Sequence, residues 1–252
     1  MLALFVMQLI AGISLMWSLM PRRQVTSGFF RIQMLLVLGL SVLVALVAGK
    51  FGQQSGLSET ALTGIGIVMA TLAFVGSVLW TLERRVPGAI CGFAVNWIAM
   101  GALVQAGWHG SEATSGGVLP LASLLATAAV LGGTVTGMLL GHWYLTAPTM
   151  SIAPLSTLTR VLLVAVIVRL IVSGLCWWTG GDAIHGSLLW SWFALRWIAG
   201  ILSPLVLCGM TLRILRYRNT QAATGVLFAA VILSFIGEMS ATLLLSELHR
   251  PF

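Results

Sequence analysis

Eight stretches of nearly unbroken apolar residues, each about twenty long, follow one another along the chain. They run approximately over 2–20, 31–50, 60–82, 88–108, 118–144, 154–178, 185–212 and 222–246. A helix of ~20 apolar residues spans the ~30 Å hydrocarbon core of a bilayer. Within lipid, every backbone N–H and C=O of a lone segment must be satisfied inside that segment, which a helix does and an isolated strand does not. The expected fold is therefore all-α: a polytopic membrane bundle of about eight transmembrane helices with short loops, one transmembrane domain over 1–252. Charged residues make up only 8% of the chain, where a soluble domain carries roughly 25%. So few charges cannot cover a water-facing surface. A transmembrane barrel fails on pattern, because its strands alternate apolar and polar residues in segments of ~10.

The breaks carry turn chemistry: "MPRRQVTSG", "KFGQQSGLSE", "ERRVPG", "HGSEATSGG", "TAPTMSIAP", "TGGDAIHG" and "RYRNTQ". Gly, Pro, Ser, Asn and Asp punctuate them. The net charge of +7 would point to nucleic acid in a soluble protein. Here most of the arginines fall in short loops on one side, and no nucleic-acid partner is expected. Arg22, Arg23 and Arg31 follow the first segment, Arg84 and Arg85 the third, and Arg213, Arg216 and Arg218 the seventh. The alternate loops hold Lys50 with Glu59, His109 with Glu112, and Asp182 with His185. The positive-inside rule places the arginine loops in the cytoplasm and both termini outside it, in a bacterial inner membrane. Basic residues follow the first segment instead of preceding it, the reverse of a signal peptide. Cys91, Cys176 and Cys208 all lie in apolar segments without CxxC spacing and read as small core residues.

Within the sixth segment, "VLLVAVIVRLIVSGLCWW", one residue is out of place: Arg169. Arg196 in the seventh segment and Glu238 in the eighth stand at comparable depth near the helix middles. An ionisable group at the bilayer centre costs ~2.5–3.5 kcal/mol on insertion scales, so three of them imply a purpose. The simplest arrangement is a meeting inside the bundle. Two guanidiniums and one carboxylate leave a formal local charge of +1. That surplus has to be met by carbonyls, by Ser173 one turn from Arg169, by another subunit's carboxylate, or by a ligand such as a quinone head group, a haem propionate or a lipid phosphate. Arg196, Gly200 and Pro204 share one face of the seventh segment, and the proline disturbs the helix at Gly200. Ser234, Glu238 and Thr242 share a face of the eighth.

At the cytoplasmic end of the fifth segment, "GHWYLTAP" holds His142, Trp143 and Tyr144. It reads either as an aromatic belt or as a quinone-proximal group in which His142 or Tyr144 bonds a quinone carbonyl, with Arg160 nearby. A bis-histidine haem needs two histidines at matched depth. His142 has no partner on its side, and nothing in the spacing of His109, His185 and His249 demands a metal. The fifth segment also repeats Ala129, Gly133, Gly137 and Gly141 at four-residue intervals, a stripe for close helix packing. Gly88, Gly92 and Asn96 form a shorter version on the fourth, with Asn96 and Gln105 able to bond across the bundle.

No Walker loop, GxSxG or HExxH is present, so no autonomous catalysis is read from the chain. The segments "RWIAG…P" (Arg196, Gly200, Pro204) and "FIGEMSA" (Gly237, Glu238) resemble membrane anchors of the NrfD and dimethyl sulfoxide reductase type, over about a quarter of the chain. Those anchors have eight or more helices and interact with quinol. The resemblance implies soluble partners bearing iron–sulfur clusters or haems, with this chain as membrane anchor and a contributor to a quinone site. The leading expectation is thus a membrane subunit of a bacterial redox or energy-converting complex, in contact with membrane lipids and other subunits. Two other readings stand beside it. One is a small secondary transporter or channel with Arg169, Arg196 and Glu238 at the midplane. The other is a purely structural scaffold subunit of a photosynthetic or respiratory assembly.

Overall fold

A computed structural model describes residues 2–51, 58–114, 118–147, 150–180 and 186–248. These residues form an all-α bundle containing eight spans long and apolar enough to cross a membrane. The helices are α1 (Leu2–Leu19), α2 (Ser27–Phe51), α3 (Glu59–Thr81), α4 (Arg85–Thr114), α5 (Leu119–Thr146), α6 (Ala153–Gly180), α7 (Ser187–Trp197), α8 (Ser203–Arg216) and α9 (Thr220–Leu248). A π-helical turn, Ile198–Leu202, joins α7 to α8, and the three pieces make one span. A 3-10 turn, Arg22–Gln24, follows α1.

Several helices run past the apolar stretch that marks them. "ERRVPG", read as a break, already enters α4 at Arg85, and α4 continues through "HGSEAT" to Thr114. The physical reason is local. Pro87 falls in the first turn of α4, where its missing N–H costs nothing. Helix starts are capped where the sequence supplies an acceptor. Ser58 Oγ takes the Ala61 N–H at 3.2 Å before α3, and Asn219 Oδ1 takes the Ala222 N–H at 3.0 Å before α9. The α3–α4 and α8–α9 turns are closed by Glu83 (φ 56) and Arg218 (φ 57), two residues held in the left-handed region where glycine or asparagine is usual.

The core is built around two helices. Within an apolar eighteen-residue stretch of each span, α5 buries 72% and α1 buries 67%, against 33% to 39% in the other six. α5 packs on α1, α4, α6 and α9, while α2 and α3 form a wing against α1 and α4. α1 and α5 cross with no side chain between them: a Cβ on Gly12 would fall on the Ala128 carbonyl, and one on Gly132 on the Gly12 backbone. From the other side Asn96 Nδ2 on α4 donates to the Ala11 carbonyl at 3.3 Å and to Ser14 Oγ at 3.2 Å. The outward faces carry large apolar side chains such as Leu46, Phe74, Trp97 and Ile171, all more than half exposed. A continuous apolar exterior of this kind belongs against lipid.

The arginine loops meet at one end. Arg85 Nη1 donates to the Arg22 carbonyl at 3.4 Å. Trp143 Nε1 at the end of α5 donates to Thr26 Oγ1, between α1 and α2, at 2.8 Å. Arg22 lies 4.3 Å above the Phe93 ring, and burial lowers its guanidinium from the usual arginine value. His109 is exposed at the opposite end. Pro148, Asp182, His185 and His249 lie outside the described residues.

Candidate functional site

Four helices converge on one carboxylate. Glu238 on α9 accepts from Arg196 Nη1 on α7 at 2.5 Å through Oε1. Arg169 Nε on α6 stands 3.7 Å from the same oxygen. Thr127 Oγ1 on α5 donates to Oε2 at 3.3 Å. Arg169 also turns towards α5, where its Nη1 donates to Ser123 Oγ at 2.7 Å and to the Ser123 carbonyl at 3.4 Å. Arg196, Arg169 and Glu238 are 0%, 2% and 4% exposed, and the two arginines head the largest fully buried side chains. The network is thus removed from lipid as well as from water.

The sequence places these charges near the helix middles; the structure moves them towards the end opposite the arginine loops. At ~1.5 Å per residue, Arg169, Arg196 and Glu238 lie roughly 14–16 Å from that end of their helices and roughly 24–30 Å from the other. Ser173 is not the group that meets Arg169. Its hydroxyl is buried without a hydrogen-bond partner among the described residues, as is that of Ser234. Thr242 Oγ1 bonds its own helix at the Met239 carbonyl, 2.7 Å away.

The break in the seventh span adjoins this network. Pro204 has no N–H to continue the α-helical ladder, and the chain answers with one π turn. The Ser203 N–H and Oγ both reach the Ile198 carbonyl, the hydroxyl at 2.7 Å. Inside that turn, Gly200 meets Gly237 of α9 backbone to backbone. A Cβ on Gly200 would stand 2.9 Å from Gly237 Cα and 3.2 Å from Arg196 Nη1. Two glycines therefore let α9 come close enough for Glu238 to reach Arg196.

The groups read as quinone-proximal differ in burial. His142 and Arg160 are exposed, whereas Tyr144 is buried and donates its hydroxyl to the Ser151 carbonyl. Of the three, only Tyr144 lines the cavity at that end. The small-residue stripe of α5 faces two neighbours: Gly133 meets Leu162 of α6, while Gly137 and Gly141 meet Leu227 and Thr224 of α9, with Ala129 half-buried beside them. No group of three or more potential metal ligands occurs among the described residues.

Ser123 and Thr127 are the members of the site that sequence reading passes over. They did carry a signal, since they stand four apart on one face of α5. Hydroxyls in membrane helices mostly bond their own preceding turn, as Thr134, Thr159 and Thr211 do here, so residue type alone does not single them out. No protein-family model matches the chain, and comparison with curated proteins and with solved structures gives no match either.

Proposed function

We propose that the chain is an integral membrane subunit of a larger redox or energy-converting complex, serving as a rigid membrane anchor for partner proteins. One observation carries this reading: a single buried carboxylate, Glu238, is held by groups from three other helices. A network closed in this way fixes helix positions, as a platform for other subunits requires. The residues that resemble the quinol-linked anchors also form one physical unit, the Arg196–Glu238 pair with the Gly200–Gly237 crossing. His142 and Arg160 lie on the surface, so anchoring is the role proposed, and quinone retained by the purified complex would add a quinone site to it.

Purification of the full chain from its native membrane in mild detergent tests this. Stable association with a redox-active or quinone-bearing partner is expected; a lone monomer in every mild detergent would end the proposal. Arg169→Ala separates the remaining readings. As part of an anchor, it should lower the amount of assembled complex and leave turnover per assembled complex unchanged. The π turn beside the charges favours a transporter as the second reading. Anion flux in liposomes that Arg169→Ala abolishes would establish that reading instead.

In the same proposal the arginine end faces the cytoplasm of a bacterial inner membrane, and both chain ends face the other side. A cysteine introduced at the exposed Arg23 should react with an impermeant thiol reagent only after the membrane is opened. Labelling of intact cells at that position would reverse the orientation.

A further inference from the structure

At the arginine end, residues 150–153 at the start of α6 and the turn from α8 to α9 line a half-open cavity of about 740 Å³, with Arg216 and Arg218 exposed at its mouth. That is the size of a small-molecule site, roughly 300–1,000 Å³. One wall is cationic and polar, with Arg216, Arg218 and Thr220, and the other is apolar, with Met150, Ile152 and Leu215. The wall is built without a ligand, because the Tyr144 hydroxyl donates to the Ser151 carbonyl and ties the α5–α6 connection to the end of α5.

Neither Arg216 nor Arg218 makes an ion pair or a side-chain hydrogen bond among the described residues. Among the described residues, two guanidiniums thus line a cavity with no carboxylate in its lining. The cavity adjoins the first residues of α6 and α9 and the last turns of α5 and α8, so the partial charges of the helix ends offset one another and the two guanidiniums supply the positive field. Guanidinium forks match phosphate oxygens in pairs. The apolar wall suits the glycerol and first methylenes of a lipid, and the cavity sits where membrane-spanning helices end.

We propose that this cavity binds the phosphate of an anionic phospholipid head group, seated on Arg216 and Arg218. The site is independent of the anchoring role and would exist whether or not that role holds. The same chemistry would accept free phosphate, so the test must separate the two sources.

The full chain in a neutral detergent is titrated with dioctanoyl phosphatidylglycerol, with dioctanoyl phosphatidylcholine and with inorganic phosphate, and bound adducts are counted by native mass spectrometry. The wild type should prefer phosphatidylglycerol to phosphatidylcholine. At ~1 kcal/mol per basic residue, removing one arginine should weaken phosphatidylglycerol about fivefold and removing both about thirtyfold. Arg218→Gly is the variant least able to disturb folding, because glycine suits the positive φ at that position. Arg216→Gln combined with Arg218→Gly should remove the preference altogether. Arg22→Gln with Arg23→Gln takes the same charge from the same end outside this cavity and should leave the preference in place. An equal loss in that second pair means diffuse attraction and overturns the site, as does a preference that survives the cavity pair. Displacement of the lipid by millimolar phosphate, with the same variant dependence, supports the site with free phosphate as an occupant. An adduct indifferent to phosphate supports the lipid.

Discussion

Glu238→Gln is expected to lower the amount of folded protein in the membrane severely and to cost the solubilised bundle about 3–5 kcal/mol, the range for breaking a buried ion pair by removing one partner. The reason lies in what remains. Arg196 Nη1 and Arg169 Nε stand 2.5 Å and 3.7 Å from one carboxylate oxygen, so these nitrogens are close to each other as well. Two unit charges ~6 Å apart repel by roughly 3 kcal/mol at an effective dielectric of 20. The carboxylate offsets that repulsion, and an amide of the same shape does not. Thr127 would keep an acceptor, so the loss reports charge more than hydrogen bonding.

The measurement is the thermal midpoint in detergent together with the steady-state level in membranes. Glu238→Asp, which keeps the charge one methylene short, should recover part of the loss. Arg196→Gln combined with Glu238→Gln should cost less than the sum of the singles, because each removes what makes the other expensive. Ser173→Ala is the internal control. Its hydroxyl is buried without a partner, so its removal should leave the midpoint unchanged or slightly raised. A Glu238→Gln midpoint as high as that of Ser173→Ala would mean that the network does not hold the bundle together.

Both the all-α architecture and the meeting of Arg169, Arg196 and Glu238 can be read from the residues. Charges inside apolar segments have few places to go, and adjacent segments of similar length put them within reach. The finer geometry is not in the pattern. Arg169 lies one turn from Ser173 on its own helix, yet it takes Ser123 on α5, because the partner is chosen by how α5 and α6 are rotated against each other. Apolar residues all round each segment leave that rotation unmarked. The π turn is half legible: Pro204 announces a fault in the ladder, but an α-helix can also answer proline with a simple kink. The burial pattern of the tyrosine–histidine–arginine grouping is illegible for a similar reason. Nearness in sequence at a helix end brought Tyr144 inwards and left His142, two residues earlier, on the surface.

The packing of α5 gives the second large effect. Gly132→Ala and Gly12→Ala should each destabilise the bundle by about 1–3 kcal/mol or more, as overpacking of a tight core does. In both cases the added Cβ lands on backbone atoms of the facing helix, the Gly12 carbonyl carbon in one and the Ala128 carbonyl in the other. Backbone in the middle of a helix cannot turn aside as a side chain can, so α1 and α5 must separate, and these are the two most buried spans. The four-residue stripe at Gly133, Gly137 and Gly141 would rank these positions differently, because Gly132 lies outside it. At Gly133 the new methyl would meet the end of the Leu162 side chain at 2.8 Å, which can shift. At Gly137 it would meet Leu227 Cδ2 at 3.5 Å, an ordinary contact. Alanine there should be neutral or stabilising, since glycine inside a helix costs up to ~1 kcal/mol relative to alanine. The order of thermal midpoints should therefore be Gly137→Ala highest, Gly133→Ala next and Gly132→Ala lowest. The Gly12→Ala/Gly132→Ala double variant should lose less than the two singles together, because a crossing already opened admits the second methyl. If Gly132→Ala melts with Gly137→Ala, the backbone contact between α1 and α5 is not what joins the two halves of the bundle.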